Sequence, residues 1–269
     1  MVSARGVPSG GFPSGGGSEQ DGPWEHYAGW WQQHFTEGAD AEYTEQILPL
    51  VAAELRGATK VLDVGTGEGQ VARLVAGSAS RRRSGPRAAR IVVGVDPSRA
   101  QLSEAARRAG GPRYVRAGAA VLPFAAASFD TVVACLVFEH ITEVDAAIGE
   151  VARVLRPRGR FLFLLNHPLL QTPGSGWIDD RILDEQYWRI GPYLVEDEST
   201  EEVEKGIFIP FVHRPLSRYV NAMAEVGLIV TRMEEPPPPP GFLARAAEYL
   251  ESATIPRLLF LRAEKRTTR

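Results

Sequence analysis

The residues best suited to chemistry begin at Asp63. The run Val61-Leu62-Asp63-Val64-Gly65-Thr66-Gly67-Glu68-Gly69 reads as a buried strand ending in a glycine-rich turn that opens a helix. Without a β-carbon, the backbone at a glycine turns tightly and approaches a ligand closely. At the carboxyl edge of an open parallel sheet such a turn is the expected ligand crevice. The spacing is GxGxG, whereas the dinucleotide fingerprint is GxGxxG, and because glycine turns vary, spacing alone decides little. Asp63 says more. A carboxylate inside a strand is costly unless paired or solvated; beside this loop it repels a pyrophosphate and suits a cationic ligand, which points away from a dinucleotide. Asp96 ends the next strand, before Pro97. A carboxylate there accepts both hydroxyls of a ribose; its alternative is a plain turn residue.

Other candidates follow the apolar strand Thr131–Cys135. Glu139 and His140 stand where the sheet edge should meet a ligand. His140 is a candidate base near neutral pH or, equally, a histidine making a structural hydrogen bond at a helix start. Cys135, inside the strand, reads as inert core. His213-Arg214 precedes a later helix, where the guanidinium either clamps a carboxylate or anchors a loop. Tyr27 and Trp31 either close over the ligand or pack their helix on the sheet. Trp177 and Tyr187 lie in an aromatic-rich excursion over 166–214, and long excursions of this kind tend to be lids or binding loops.

The elements that must position these groups alternate strand and helix, which predicts an α/β fold. It is Rossmann-like, with a mainly parallel sheet, helices on both faces and 166–214 as a cap insertion. After Val61–Val64 come strands over 91–95, 131–135 and 160–165, then two near 228–233 and 257–263. Helices carry Val71, Leu74 and Val75; Leu102, Ala105 and Ala109 behind a Ser98 cap; and Val144, Ile148, Val151 and Leu155, which Arg156–Gly159 should stop. Tyr43, Ile47, Val51 and Leu55 form one helical stripe, with Pro49 kinking or restarting it. Pro215 suits the first turn of a helix that ends at Gly227. Residues 1–22 read as a flexible tail and 23–269 as one domain. Gly77 to Arg90 reads as a basic surface loop, and Pro236–Pro240 as a stiff spacer.

Composition bounds the partners. A net charge of -3 over 269 residues offers no field that gathers nucleic acid or anionic lipid. The expected partner is a small molecule, with nucleic acid unfavoured and no membrane. One cysteine excludes an intrachain disulfide or a cysteine-cluster zinc site, and no metal is expected. With no apolar run long enough for a spanning helix or a signal core, a cytoplasmic location is expected.

Four segments in order, VLDVGTGEGQVARLVA, VVGVDPS, LPFAAASFDTVVACLVFEHI and EVARVLRPRGRFLFLLNHP, resemble the motif set of class I S-adenosylmethionine-dependent methyltransferases. The likeness covers about residues 58–166. It is greatest to the small-molecule enzymes that include those of quinone biosynthesis. It implies S-adenosylmethionine as cofactor and methyl transfer to a small, apolar or aromatic acceptor. Rival readings are an RNA methyltransferase using Arg81, Arg82, Arg83, Arg87 and Arg90, a silent S-adenosylmethionine-binding protein, and a nicotinamide-dependent oxidoreductase. By resemblance, Gly65, Gly67 and Gly69, with Thr66, line the methionine and ribose, and Asp63 lies near the amino end. Asp96 and Pro97 take the ribose, 117–119 flank the adenine, and Cys135 and Leu136 lie by the methionine. Many relatives carry an aspartate before LPF; Gly118 and Ala119 stand there here, so backbone groups must replace it.

Overall fold

A computed structural model describes residues 22–78, 90–246 and 252–267. The tail, read over 1–22, lies outside them except for Gly22, and so does most of the basic loop, including Arg81, Arg82, Arg83 and Arg87. The chain enters through α1 (Pro23–His26) and α2 (Ala28–Phe35). One π-helical turn, Tyr43–Ile47, runs into α3 (Leu48–Glu54) with Pro49 in its first turn. Proline lacks an N–H that would be unsatisfied there anyway. Then come β1 (Lys60–Val64), α4 (Gln70–Ser78), β2 (Ile91–Asp96), α5 (Arg99–Arg108), β3 (Arg113–Arg116) and β4 (Phe129–Cys135). A 3-10 turn at Phe138–His140 leads to α6 (Val144–Val154) and β5 (Leu155–Asn166). Four strands follow, β6 (Gly176–Asp180), β7 (Glu185–Arg189), β8 (Asp197–Glu204) and β9 (Ile207–His213), before α7 (Leu216–Glu225), β10 (Leu228–Glu234), α8 (Pro240–Leu243) and β11 (Leu258–Lys265).

Seven strands form one sheet in the order β10-β11-β5-β4-β1-β2-β3. β1 pairs parallel with β2 and β4, β2 with β3 and β4 with β5; β11 alone runs against its neighbours. The chain winds outward from β1 to β3, then resumes at β4 on the other side of β1. Strand order reverses there, and the carboxyl ends of β1 and β4 open a crevice.

Two cores cover the sheet, because side chains alternate along each strand. Leu62, Val132, Phe161, Phe163 and Leu261 point to α6 and α7; Val61, Val133, Leu162, Leu164 and Phe260 point to α3 and α4. Each fully buried Leu or Phe contributes about 1.5–3 kcal/mol by leaving water.

Three local features depart from expectation. β3 was not foreseen, being four residues with a single apolar pair. Arg156–Gly159 does not stop α6 as a loop, since β5 starts at Leu155, opposite Phe129, as soon as the helix ends. Arg90 is no exposed basic contact: its guanidinium donates to the carbonyls of Ala58 at 2.9 Å, Val75 at 2.8 Å and Leu55 at 3.2 Å, tying the entry of β2 to α3 and α4. The 166–214 excursion is two antiparallel hairpins, β6–β7 and β8–β9. The proline run packs Pro238 and Pro239 inward, with Gln46 donating to the Pro237 carbonyl at 2.7 Å. Among the described residues no helix is long and apolar enough to cross a membrane.

Candidate functional site

Past Val64 the chain turns through Gly65 at φ +68° and Gly67 at φ +53°, conformations in which an L side chain is strained. The two glycines serve different ends. A β-carbon on Gly65 would run into Val137, whereas one on Gly67 would meet nothing within 4 Å and would project into open space. Gly69 is a packing glycine too, backed by the Tyr114 hydroxyl. Thr66 donates its N–H to the Val95 carbonyl at 2.9 Å and its hydroxyl to Asp63 at 2.7 Å. Asp63 therefore braces the turn from beneath, 1% exposed, with its carboxyl pushed up to about 7 by burial. It does not reach the crevice wall, and neither do Thr66 and Gly69. Asp63 and Thr66 brace the turn through their mutual hydrogen bond, and Gly69 leaves room for Tyr114.

The crevice itself is a cavity of about 140 Å³ lined by Gly65, Gly67, Asp96, Pro97, Ala117 and Ala119, among others. Asp96 is 7% exposed and held rigidly: one oxygen accepts from Gly67 N at 2.9 Å and the other from Ser98 N at 2.9 Å. Burial raises its pKa. Each oxygen keeps a lone pair for a hydroxyl. Gly118 is exposed and off the wall, and its two alanine neighbours flank the cavity instead. Gln101, one turn into α5, also lines it, a contact the sequence reading missed.

A second cavity, of about 300 Å³, lies beyond, and the two share Trp24, Leu136 and His140. Leu136 adopts φ +55° directly after β4, which turns it out of the sheet. Cys135, one residue earlier, faces the core beside Tyr43, its thiol pushed up by burial, and reaches neither cavity. His140 Nδ1 lies 2.7 Å from the Pro210 carbonyl. A carbonyl only accepts, so Nδ1 carries the proton and Nε2 the lone pair. Burial holds the ring neutral, its pKa lowered to about 4. Trp24 and Phe211 pack on it, each with ring centroids 4.7 Å away.

Glu139 turns the other way. It is 2% exposed, accepts from Asn166 N at 3.2 Å and Asn166 Nδ2 at 3.0 Å, and lines neither cavity. Burial pushes it up to about 7, and its Oε2 has no partner among the described residues. It fixes the end of β5 and is not a contact residue.

The aromatic wall of the second cavity comes chiefly from the entering helices, with Trp24, Trp30, Trp31 and Phe35, and from Phe211 of β9. Trp31 is where the sequence suggested; Tyr27 is not, its ring lying against His26 at 4.6 Å. Trp177 and Tyr187 also miss both cavities. Cross-strand pairing in their own hairpin sets Trp177 against Trp188, at 5.7 Å, and Tyr187 against Ile178. His213 and Arg214 are buried anchors and not a clamp. His213 Nε2 meets the Tyr193 carbonyl at 2.8 Å, and Arg214 donates to the carbonyls of Ile141 at 2.8 Å and Thr142 at 2.9 Å, fixing the loop after His140. Missed by the sequence reading were Trp24 and Glu201 on β8, whereas Phe211 belongs to the aromatic-rich excursion over 166–214; the tryptophan-rich entry segment was the available signal for Trp24.

Residues 62–163 match the model of the methyltransferase domain family. The chain is similar to the ubiquinone/menaquinone biosynthesis C-methyltransferase of Bartonella bacilliformis, 34% identical over 125 residues, or 44% of this chain and 46% of that one. An O-methyltransferase of Aspergillus sclerotiorum is 32% identical over 142 residues, half of each chain. The chain thus spans about half the length of the curated relatives it matches. A solved S-adenosylmethionine-dependent methyltransferase from Mesorhizobium loti superposes with a TM-score of 0.66 at 26% identity, over 81% of this chain and 96% of that one.

Proposed function

We propose that this chain, whose residues 62–163 form a class I S-adenosylmethionine-dependent methyltransferase domain, methylates a small planar or apolar acceptor seated in the larger cavity. The observation that carries this reading is the shared wall: Trp24, Leu136 and His140 border both the glycine-turn crevice and the aromatic cavity. A donor in one and an acceptor in the other meet there.

The crevice fits the donor. Gly67 leaves room where any side chain would intrude, and Asp96 offers two backbone-fixed oxygens to a ribose. Ala117 and Ala119 present a flat apolar surface for the adenine, without the carboxylate that many relatives use. Bound there, S-adenosylmethionine supplies a methyl group on a sulfonium. Transfer then needs alignment above all. With that group held there, any proton displaced from the acceptor would pass to His140 Nε2, the unprotonated nitrogen. Trp24 and Leu136 border that junction, and Arg214 holds the loop behind His140.

The relatives' names cover both carbon and oxygen methylation, and a quinol-like ring suits the aromatic walls. Yet Trp30, Trp31, Glu201 and Arg257, which border the acceptor, lie outside the matched 62–163.

Calorimetric titration with S-adenosylhomocysteine, and with NAD as control, tests the reading. Micromolar binding of the former, weakened about tenfold or more by Asp96→Ala, is expected. Absent binding, or tighter NAD binding, overturns it. Cofactor binding without methyl transfer to any planar acceptor would mark a silent binding protein.

A further inference from the structure

The lining of the larger cavity carries more carboxylates than cations. Asp40, Glu42 and Glu201 line it with one guanidinium, Arg257. Arg257 is engaged: it contacts Glu42 through Nε at 2.8 Å and Nη2 at 3.2 Å, and lies over the Phe242 ring at 4.1 Å. Asp40 accepts from Tyr43 N at 2.9 Å and faces Arg245 at 3.8 Å. The half-buried Glu201 side chain has no hydrogen bond or ion pair among the described residues, and partial burial raises its carboxyl pKa. His140 and Tyr43, the titratable rings on this wall, are both held neutral by burial.

Trp24, Trp30 and Trp31 line the same cavity, and the π-faces of tryptophans attract cations. With three carboxylates against one engaged guanidinium on this wall, a ligand that brings a positive donor meets complementary charge. A carboxylate-bearing ligand would add to the repulsion.

Register separates this charge from the reacting atom. Glu201 pairs with Ile209, while Phe211, two residues along β9, pairs with Ser199 and packs on His140. At strand rise that spacing is about 7 Å.

Resting on the methyl-transfer reading above, we propose that the acceptor is a planar or apolar molecule bearing an ammonium group. Glu201 receives the ammonium, while a different atom of that molecule is methylated beside His140. Glu201 is then the specificity-determining residue for charge.

Three probes with one ring and different charge test this: tryptamine, tryptophol and indole-3-acetate, each titrated into the full chain saturated with S-adenosylhomocysteine at neutral pH. Tryptamine is expected to bind about tenfold more tightly than tryptophol, and indole-3-acetate least. Glu201→Gln should bring tryptamine to the level of tryptophol, and Glu201→Lys should invert the order, both with S-adenosylhomocysteine affinity unchanged. The proposal is overturned if tryptophol or indole-3-acetate binds as tightly as tryptamine, if Glu201→Gln keeps the preference, or if none of the three binds. Failure of S-adenosylhomocysteine itself to bind would instead remove the methyl-transfer reading, and this inference with it.

Discussion

Glu25 and Ser98 join the entering helix to the cofactor crevice. The Ser98 hydroxyl donates to Glu25 at 2.7 Å, and the same carboxylate accepts from Ala100 N at 3.1 Å. Ser98 meanwhile caps α5 by accepting from Gln101 N at 3.1 Å, and its own N–H donates to Asp96. One connected set of bonds thus holds the Asp96 carboxylate, the start of α5 and the helix that carries Trp24. Removing Glu25 should free α1 without unfolding the sheet. Glu25→Ala is expected to raise amide exchange across residues 23–35 by about tenfold and to cost about 1 kcal/mol of stability, as loss of a cap does. Unchanged exchange there would contradict a tether.

Gly65 and Gly67 should respond differently to alanine. At Gly65 the new methyl meets Val137 and the φ of +68° is strained as well, so Gly65→Ala should lower the melting temperature sharply. At Gly67 nothing lies within 4 Å; only backbone strain of about 1 kcal/mol is added. Gly67→Ala should therefore fold while losing about tenfold or more in S-adenosylhomocysteine affinity, because the methyl enters the crevice. Thermal melts and calorimetry on the two variants separate packing from ligand clearance.

His140→Phe preserves the ring packing against Trp24 and Phe211 and removes the nitrogen lone pair. For an acceptor that must lose a proton, kcat should fall by about a hundredfold with cofactor affinity little changed. Burial lowers the pKa of His140 to about 4. The base is therefore already unprotonated at mildly acidic pH. The ratio of wild-type to variant kcat should stay flat from about pH 8 to about pH 6 and decline only as pH falls toward about 4. A decline centred near the ordinary histidine value of about 6.5 would argue that the ring is solvated.

Glu139 sets a stability trend with pH. Its pKa rises from 4.5 unfolded to about 7 in the fold, through burial. The native state then binds the proton more tightly, so its contribution is complete below the unfolded value and is lost as pH rises through about 7. Glu139→Gln mimics the protonated form. Relative to wild type, its unfolding free energy in urea should improve by the order of 2 kcal/mol between about pH 5 and about pH 8. A pH-independent difference would mean that the carboxyl is ionised throughout.

Much was legible wherever the determining contacts are local. The alternation of strand and helix, the Ser98 cap, the start of α7 after Pro215 and the glycine turn before α4 all follow from residues a few positions apart. Asp96 could be singled out because it ends the strand that follows the glycine turn, where a carboxylate can accept ribose hydroxyls.

Which face a side chain takes was less legible. Asp63, Cys135 and Glu139 stand beside the crevice in sequence and turn into the protein, while Leu136 and His140 turn out. Trp177 and Tyr187 look like a lid by composition, but their hairpin pairs them with each other's neighbours, and the wall is built from Trp24, Trp30 and Trp31.

By itself the sequence determined most of the sheet's elements and the crevice at the glycine turn, because hydrophobic period, capping and turn conformation act over a few residues; the class of chemistry was implied by its resemblance to a known family. Only the tertiary structure decided how the two cavities meet and what charge the acceptor side carries. Those depend on contacts such as Glu25 with Ser98, 73 residues apart, and His140 with Pro210, 70 apart. No local rule sets such partners; they arise when the packed sheet brings the ends of distant elements to one edge.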